Sequence, residues 1–160
     1  EVLGHVFDLN YQPIDLLLPA CDVPPFVSPY SIVIAAENEH YKVQCLIRKK
    51  WLDLTPEEWV RQHVIGYLIH VKKIPSGNIS VEKSLTTTAI EAMDIATFDA
   101  DGNPSLLVEC KRTNVPCTPE VMVQISAYQN VFQAKKVIIT NGLSCHVYHE
   151  EKWTEGINEI

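Results

Sequence analysis

No GxxxxGK[ST] loop occurs in the 160 residues, so the chain carries no P-loop to cradle the phosphates of ATP. HExxH and GxSxG are absent too, which removes the commonest zinc-protease and serine-hydrolase signatures. No apolar run approaches the roughly 18–20 residues of a membrane-spanning helix. The most apolar early stretch, 14–27, is broken by Asp15, Asp22, Pro19, Pro24 and Pro25. The five cysteines (Cys21, Cys45, Cys110, Cys117, Cys145) are scattered, odd in number and without a CxxC pair. That pattern argues against a disulfide framework or zinc knuckle and for free thiols in a reducing cytoplasm. Positive charge is also short: 13 Lys+Arg against 20 Asp+Glu gives −7. Any contact with nucleic acid must therefore come from a local basic patch, not from the field of the whole molecule.

What is present describes one globular domain. Hydrophobic residues make up 46% and charged residues 21%, enough for a core of ordinary size and too ordered a mixture for disorder. Residues 1–29 are rich in proline and apolar residues without a sustained period, which predicts an extended arm over the core. The stretches 31–36 (SIVIAA) and 41–47 (YKVQCLI) flank polar residues 37–40 and predict a hairpin, followed by the basic group Arg48, Lys49 and Lys50. Thr55-Pro56-Glu57-Glu58 sets Thr at an N-cap, Pro at the first helical position and Glu at the third. Val60, Val64, Leu68 and Val71 then recur at helical spacing, and the helix should stop near 70–73, before Pro75 and Gly77. Strands follow at 79–87, 90–98 and 105–111, the last two joined through Asp101-Gly102. A second helix opens at Thr118-Pro119-Glu120 and runs to about 134. A strand at 137–140 then turns at Asn141-Gly142 into a return strand at 143–149. The core order is helix, three strands, helix, strand, strand.

With Asp101 and Gly102 as the two loop residues, Ala100 faces Asn103 and Asp99 faces Pro104. Carrying this count along both strands sets Asp94 opposite Glu109, and Lys111 shares a face with Glu109 because i and i+2 lie on one side of a strand. Two opposed carboxylates repel and weaken a sheet unless something compensates. A divalent cation with a taste for hard oxygen ligands, magnesium or manganese, is such a compensator. A lysine beside it can orient a water or offset charge on a phosphate. An exposed hairpin with an ordinary Glu–Lys pair is the plainer reading of Glu109 and Lys111 alone; the apolar Leu106-Leu107-Val108 before them argues that the strand is buried.

Asp94, followed by Glu109-Cys110-Lys111 at the end of an apolar strand, resembles the PD-(D/E)xK nuclease signature. The order of elements is similar to that fold's core, and Gln124-Ile125-Ser126-Ala127-Tyr128 is similar to the QxxxY motif of RecB-like nucleases. Arg48-Lys49-Lys50-Trp51, the run 54–62 and Thr140-Asn141-Gly142 extend the match. Together, over about residues 46–149, they resemble the type I restriction enzyme R-protein N-terminal domain family. The resemblance implies an α/β fold with a restriction-endonuclease-like core at 46–160, preceded by an arm and hairpin at 1–45. It implies a magnesium- or manganese-dependent deoxyribonuclease, with Asp94, Glu109 and the Cys110 carbonyl as metal ligands and Lys111 positioning the attacking water. Gln124 and Tyr128, one helical turn apart, would orient the site or touch the DNA backbone, although their spacing equally describes a helix face packed on the sheet. DNA and other restriction-system subunits are the implied partners, with no membrane and a cytoplasmic location.

Two departures stand out: Ala92 occupies the position where relatives commonly carry arginine, and Arg112-Thr113 follows the lysine in place of Ala-Pro. They keep a second reading open, a catalytically impaired module that binds nucleic acid or a protein on the same scaffold. Glu58 and Glu82 are further acidic candidates for the metal site, Glu58 having a capping role of its own, and Gln62 is a similar outside candidate. His146 and His149 fall on opposite faces of a strand and do not suit one metal. The basic groups at 48–50, 72–73, 111–112 and 135–136 are candidates for the border of a DNA channel.

Overall fold

The structure, a computed structural model, describes residues 32–37, 40–83 and 93–156. The arm expected at 1–29, the strand residues expected at 84–87 and 90–92, Ala92 among them, and the side chain of Tyr128 lie outside the described residues.

The hairpin expected near the start forms. β1 (Ile34–Glu37) pairs antiparallel with β2 (His40–Gln44), Ile34 against Val43 and Glu37 against His40. β3 (Trp51–Asp53) adds to β2 and completes a three-stranded sheet. The first helix, α1 (Pro56–His70), starts where Thr55-Pro56 places it: the Thr55 hydroxyl accepts from the Glu58 N–H at 3.0 Å, while Pro56 has no donor to waste. Reciprocal capping by Glu58 does not form, because the Thr55 N–H bonds the Asp53 carbonyl and the Glu58 carboxylate is committed elsewhere. The helix departs from the one-sided stripe as well. Every residue from Glu58 to Leu68 is buried, and Val71, expected on the stripe, is exposed beyond the helix end. The cause is that α1 is covered from two sides: Ile34, Val43 and Cys45 of the small-sheet segment share one apolar cluster with Val60, Val64, Ile65 and Leu68 and with the large sheet.

That large sheet has six strands in chain order: β4 (Ile79–Lys83), β5 (Met93–Phe98), β6 (Pro104–Cys110), β7 (Lys136–Thr140), β8 (Cys145–His149) and β9 (Lys152–Glu155). All neighbours are antiparallel except β6 and β7, which run parallel because α2 (Pro119–Phe132) carries the chain between them. Leu106, Val108 and Ile138 face the cluster with α1, whereas Leu107, Val137 and Ile139 face the cluster with Ile125 and Phe132 of α2. Period-two alternation thus puts one helix on each face, a mixed α/β architecture. Among the described residues no helix is long and apolar enough to cross a membrane.

Two details of the expected register are corrected. The loop closes on three residues, not two: the Asp99 N–H bonds the Asn103 carbonyl at 2.9 Å, the Gly102 N–H bonds the Asp99 carbonyl, and Gly102 takes φ +81°. A turn of this kind needs a left-handed residue at its end, which glycine supplies without strain. Phe98 therefore faces Pro104, where a two-residue loop would set Asp99. Thr97 then faces Leu106, so Ser105 is an extra residue, and this bulge restores the expected register for Ala96–Leu107 and Ile95–Val108. β9 is an addition to the expected elements. Its two-residue turn is Glu150-Glu151, both at positive φ (50° and 62°), a primed turn with neither Asn nor Gly to announce it.

Candidate functional site

The paired register of β5 and β6 ends at Ile95 opposite Val108, immediately before Asp94 on one strand and Glu109 on the other, where the two strands part. Here the Cys110 N–H, which would otherwise continue the ladder, donates to Asp94 Oδ2 at 2.7 Å. β5 also leaves strict alternation at this end: Met93 and Ala96, three residues apart, both join the α2-side cluster. The carboxylate of Asp94 consequently lies in the seam between β5 and β6, where a side chain from α1 reaches it.

That side chain is Arg61, buried on the second turn of α1. Its Nη2 donates to Asp94 Oδ1 at 2.5 Å, and its Nη1 donates to Glu58 Oε2 at 2.5 Å and Glu82 Oε1 at 2.9 Å. Arg48 completes the lattice from the β2–β3 loop, donating to Glu58 Oε1 and Glu82 Oε2 at 2.5 and 2.6 Å. Gln62, fully buried, donates to Glu58 Oε1 at 2.8 Å. Both Glu58 and Glu82 are thus drawn into the cluster, and so is Gln62. Glu82 does so from a strained position, φ +50° at the end of β4. The negative neighbours hold the Arg61 guanidinium well above its ordinary range, although burial alone would lower it.

Lys111 lies on the other side of the pair, its Nζ 2.7 Å from Glu109 Oε1. Burial raises the Glu109 carboxyl above the usual range, and the charge of Asp94 raises it further, against the lowering effect of Lys111. Lys111 in turn is raised by its bond to Glu109, outweighing its partial burial, with smaller contributions from Glu57 and Asp94. Asp94, Glu109 and Lys111 therefore feel one another as one electrostatic unit. Glu57, 3.7 Å from Arg61, belongs to it too. Among the described residues the unit counts five carboxylates (Glu57, Glu58, Glu82, Asp94, Glu109) and three cations (Arg48, Arg61, Lys111), an excess of two negative charges.

Gln124 is exposed on α2 and makes no side-chain hydrogen bond among the described residues. Cys45, at the foot of the cluster, accepts from the Arg48 backbone N–H and Nε, both at 3.3 Å, and these bonds lower its thiol despite burial. Arg61 lies in the run 54–62 of the family resemblance, which assigns it no role of its own. Its trace in the sequence is a cation three and four residues after Glu58 and Glu57 on one helix.

The donors present are hard oxygens, two carboxylates and a backbone carbonyl, of the kind magnesium and manganese accept. Among the described residues no group of three or more His, Cys, Asp and Glu side chains forms a protein cage for a metal. Magnesium sites that lean on one or two carboxylates, waters and a substrate phosphate need none. The donor chemistry fits, with both oxygens of Asp94 already accepting, from Arg61 and from the Cys110 N–H, and one oxygen of Glu109 accepting from Lys111.

Comparison with curated proteins gives no match. The profile described as type I restriction enzyme R protein N terminus (HSDR_N) matches residues 56–160, from the first residue of α1 onward and including every member of the cluster but Arg48, and the chain belongs to that family.

Proposed function

We propose that this domain is a metal-dependent deoxyribonuclease built on a restriction-endonuclease-like core, acting with other subunits of a restriction system. The observation that carries this reading is the convergence of Asp94, Glu109 and Lys111 at the parted end of β5 and β6, within a cluster that holds two more negative than positive charges. Magnesium or manganese would be held by Asp94, Glu109 and the Cys110 carbonyl, which leaves the strand on the same edge as the N–H bonded to Asp94. Bound there, the ion would act as a Lewis acid and generate a nucleophilic hydroxide at neutral pH. Lys111, its ammonium pinned by Glu109 and one-third exposed, is placed to orient a water or to offset charge developing on a phosphate. Glu58, Glu82 and Arg61 hold Asp94 in the seam. Gln124 and Tyr128 are proposed to meet the DNA backbone from α2.

One observation favours the second reading, a non-catalytic module. A buried arginine already neutralises Asp94, so the carboxylate has a partner without any metal.

Manganese-supported cleavage of plasmid or oligonucleotide DNA separates the two. Lys111→Ala and Glu109→Gln should each reduce cutting by about 10²-fold or more, with melting temperatures close to the native value, since neither side chain is fully buried. Asp94→Ala is a poorer probe: it strands the buried Arg61 and the Cys110 N–H, so a loss of cutting there is entangled with a loss of folding. Cleavage that survives both Lys111→Ala and Glu109→Gln refutes the assignment. Native protein that binds DNA and does not cut it moves the conclusion to the non-catalytic module.

A further inference from the structure

We propose that the β2–β3 loop and the start of β3 form a platform for single-stranded DNA, with Lys49 and Lys50 on its phosphates and the Trp51 indole stacked on an unpaired base. The choice of DNA as ligand rests on the nuclease reading, and the platform names the kind of DNA that would reach the site.

Arg48-Lys49-Lys50-Trp51 is one basic and aromatic run in the sequence, and the structure divides it. Arg48 turns inward onto Glu58 and Glu82, its side chain 13% exposed. Lys49, Lys50 and Trp51 face water, Trp51 with 42% of its surface. The loop is tied at its base. The Lys49 N–H bonds the Cys45 carbonyl and the Cys45 N–H bonds the Lys50 carbonyl, both at 3.0 Å, while the Cys45 thiol accepts from the Arg48 N–H and Nε. Lys49 takes φ +55°, a left-handed conformation that costs a residue other than glycine some strain. A hydrogen-bonded backbone thus holds the two lysines out.

Charge and shape here suit a single strand. Among the described residues the ion pairs of this neighbourhood join Lys42 to Asp53 and Arg48 to Glu58 and Glu82, and neither Lys49 nor Lys50 has one. Trp51 lies opposite the exposed Gln44 on the outer face of the small sheet, while the next residue, Leu52, packs against the core. An indole so placed offers a stacking surface instead of filling the interior. Single-strand binding combines cations for the phosphates with aromatic faces for the bases. A duplex keeps its base faces inside its own stack, so the indole gains nothing there. Position ties the platform to the cluster: Glu58 and Glu82 each accept from both Arg48 and Arg61, and Arg61 reaches Asp94. The cluster's two excess negative charges repel a phosphate backbone, and cations beside it offset that repulsion.

The test measures binding of the full chain in EDTA, where no metal-dependent cutting occurs, to oligodeoxythymidine and to a duplex of the same length. Native protein should bind the single strand more tightly, with its tryptophan fluorescence quenched. Trp51→Ala should weaken single-strand binding about tenfold or more, lose that quenching and leave duplex binding unchanged, and Trp51→Phe should recover part of the loss. Lys49→Gln/Lys50→Gln should reduce the slope of log K against log salt by about 0.7 for each phosphate no longer neutralised. All three side chains are exposed, and circular dichroism melting checks the fold of each variant. Native protein that does not bind the single strand overturns the proposal. So does Trp51→Ala protein that binds it as the native chain does, or that loses single strand and duplex alike. Trp51-dependent binding by a native chain that does not cut DNA in manganese leaves the platform standing and overturns the nuclease reading. Cutting by a native chain whose variants bind DNA unchanged overturns the platform alone.

Discussion

Arg61→Ala is expected to lower the stability of the domain by about 3–5 kcal/mol, the usual cost of removing one partner from a buried ion pair. Arg61 is 5% exposed and its two terminal nitrogens bridge three carboxylates from three elements: Glu58 on α1, Glu82 on β4 and Asp94 on β5. Without it, the side chains of Glu58 and Asp94, themselves buried, keep among the described residues only Arg48, Gln62 and the Cys110 N–H as partners. In a domain of this size the loss corresponds to a fall of about 10 °C in melting temperature. Arg61→Lys keeps the charge but cannot span three acceptors with one ammonium, so it should fall between native and Arg61→Ala. Combining Arg61→Ala with Asp94→Asn should cost less than the sum of the two single changes, because the carboxylate stranded by the first is removed by the second. Thermal melts of native protein and these variants decide it. Additive losses, or an Arg61→Ala cost below about 1 kcal/mol, would show that the pair is not what fixes Asp94 in the seam.

This cluster also marks where the sequence stops being legible. The start of α1 can be read because Thr55-Pro56 acts on its own turn, and the β1–β2 hairpin because its apolar runs flank a polar gap. Counting sets Asp94 opposite Glu109, and the count holds as far as Ile95–Val108, the last pair before them, through two cancelling departures: a loop one residue longer than Asp101-Gly102 suggests, and the Ser105 bulge that removes the difference. A hairpin sequence carries the turn chemistry in plain view, whereas a bulge is decided by twist and packing. Arg61 is hidden for the same reason. Its partners are 3, 4, 21 and 33 residues away, and only the two nearest are visible as helical neighbours. The burial of α1 on all sides follows from the small sheet, which no periodicity within the helix can announce. β9 escapes notice because two glutamates adopt the left-handed turn that Asn-Gly would have signalled.

Mild acid should destabilise the native chain more than a His63→Leu variant, by about 3 kcal/mol between pH 7 and pH 4. His63 is buried on α1, its ring edge-on to Trp59 with centroids 4.3 Å apart. Burial disfavours the imidazolium and brings the group from 6.5 down to about 4. Above pH 6.5 the ring is neutral whether the chain is folded or not, and His63 contributes no pH dependence. As pH falls from 6.5 to about 4 the unfolded chain takes up a proton that the folded chain refuses, so stability is lost across that window and the loss is complete once the folded state also protonates. A difference of about 2.5 units at about 1.36 kcal/mol each gives the stated magnitude. Glu109 works in the opposite sense: its raised carboxyl favours the folded state as the pH falls and withdraws that contribution as the pH rises through the raised value. It is present in both chains and cancels in their difference. Urea titrations of native and His63→Leu protein at several pH values from neutral down to about 4 therefore isolate the histidine. Curves that diverge progressively below pH 6.5 support the assignment, and curves that stay parallel down to about pH 4 would show that the His63 site admits the charged ring.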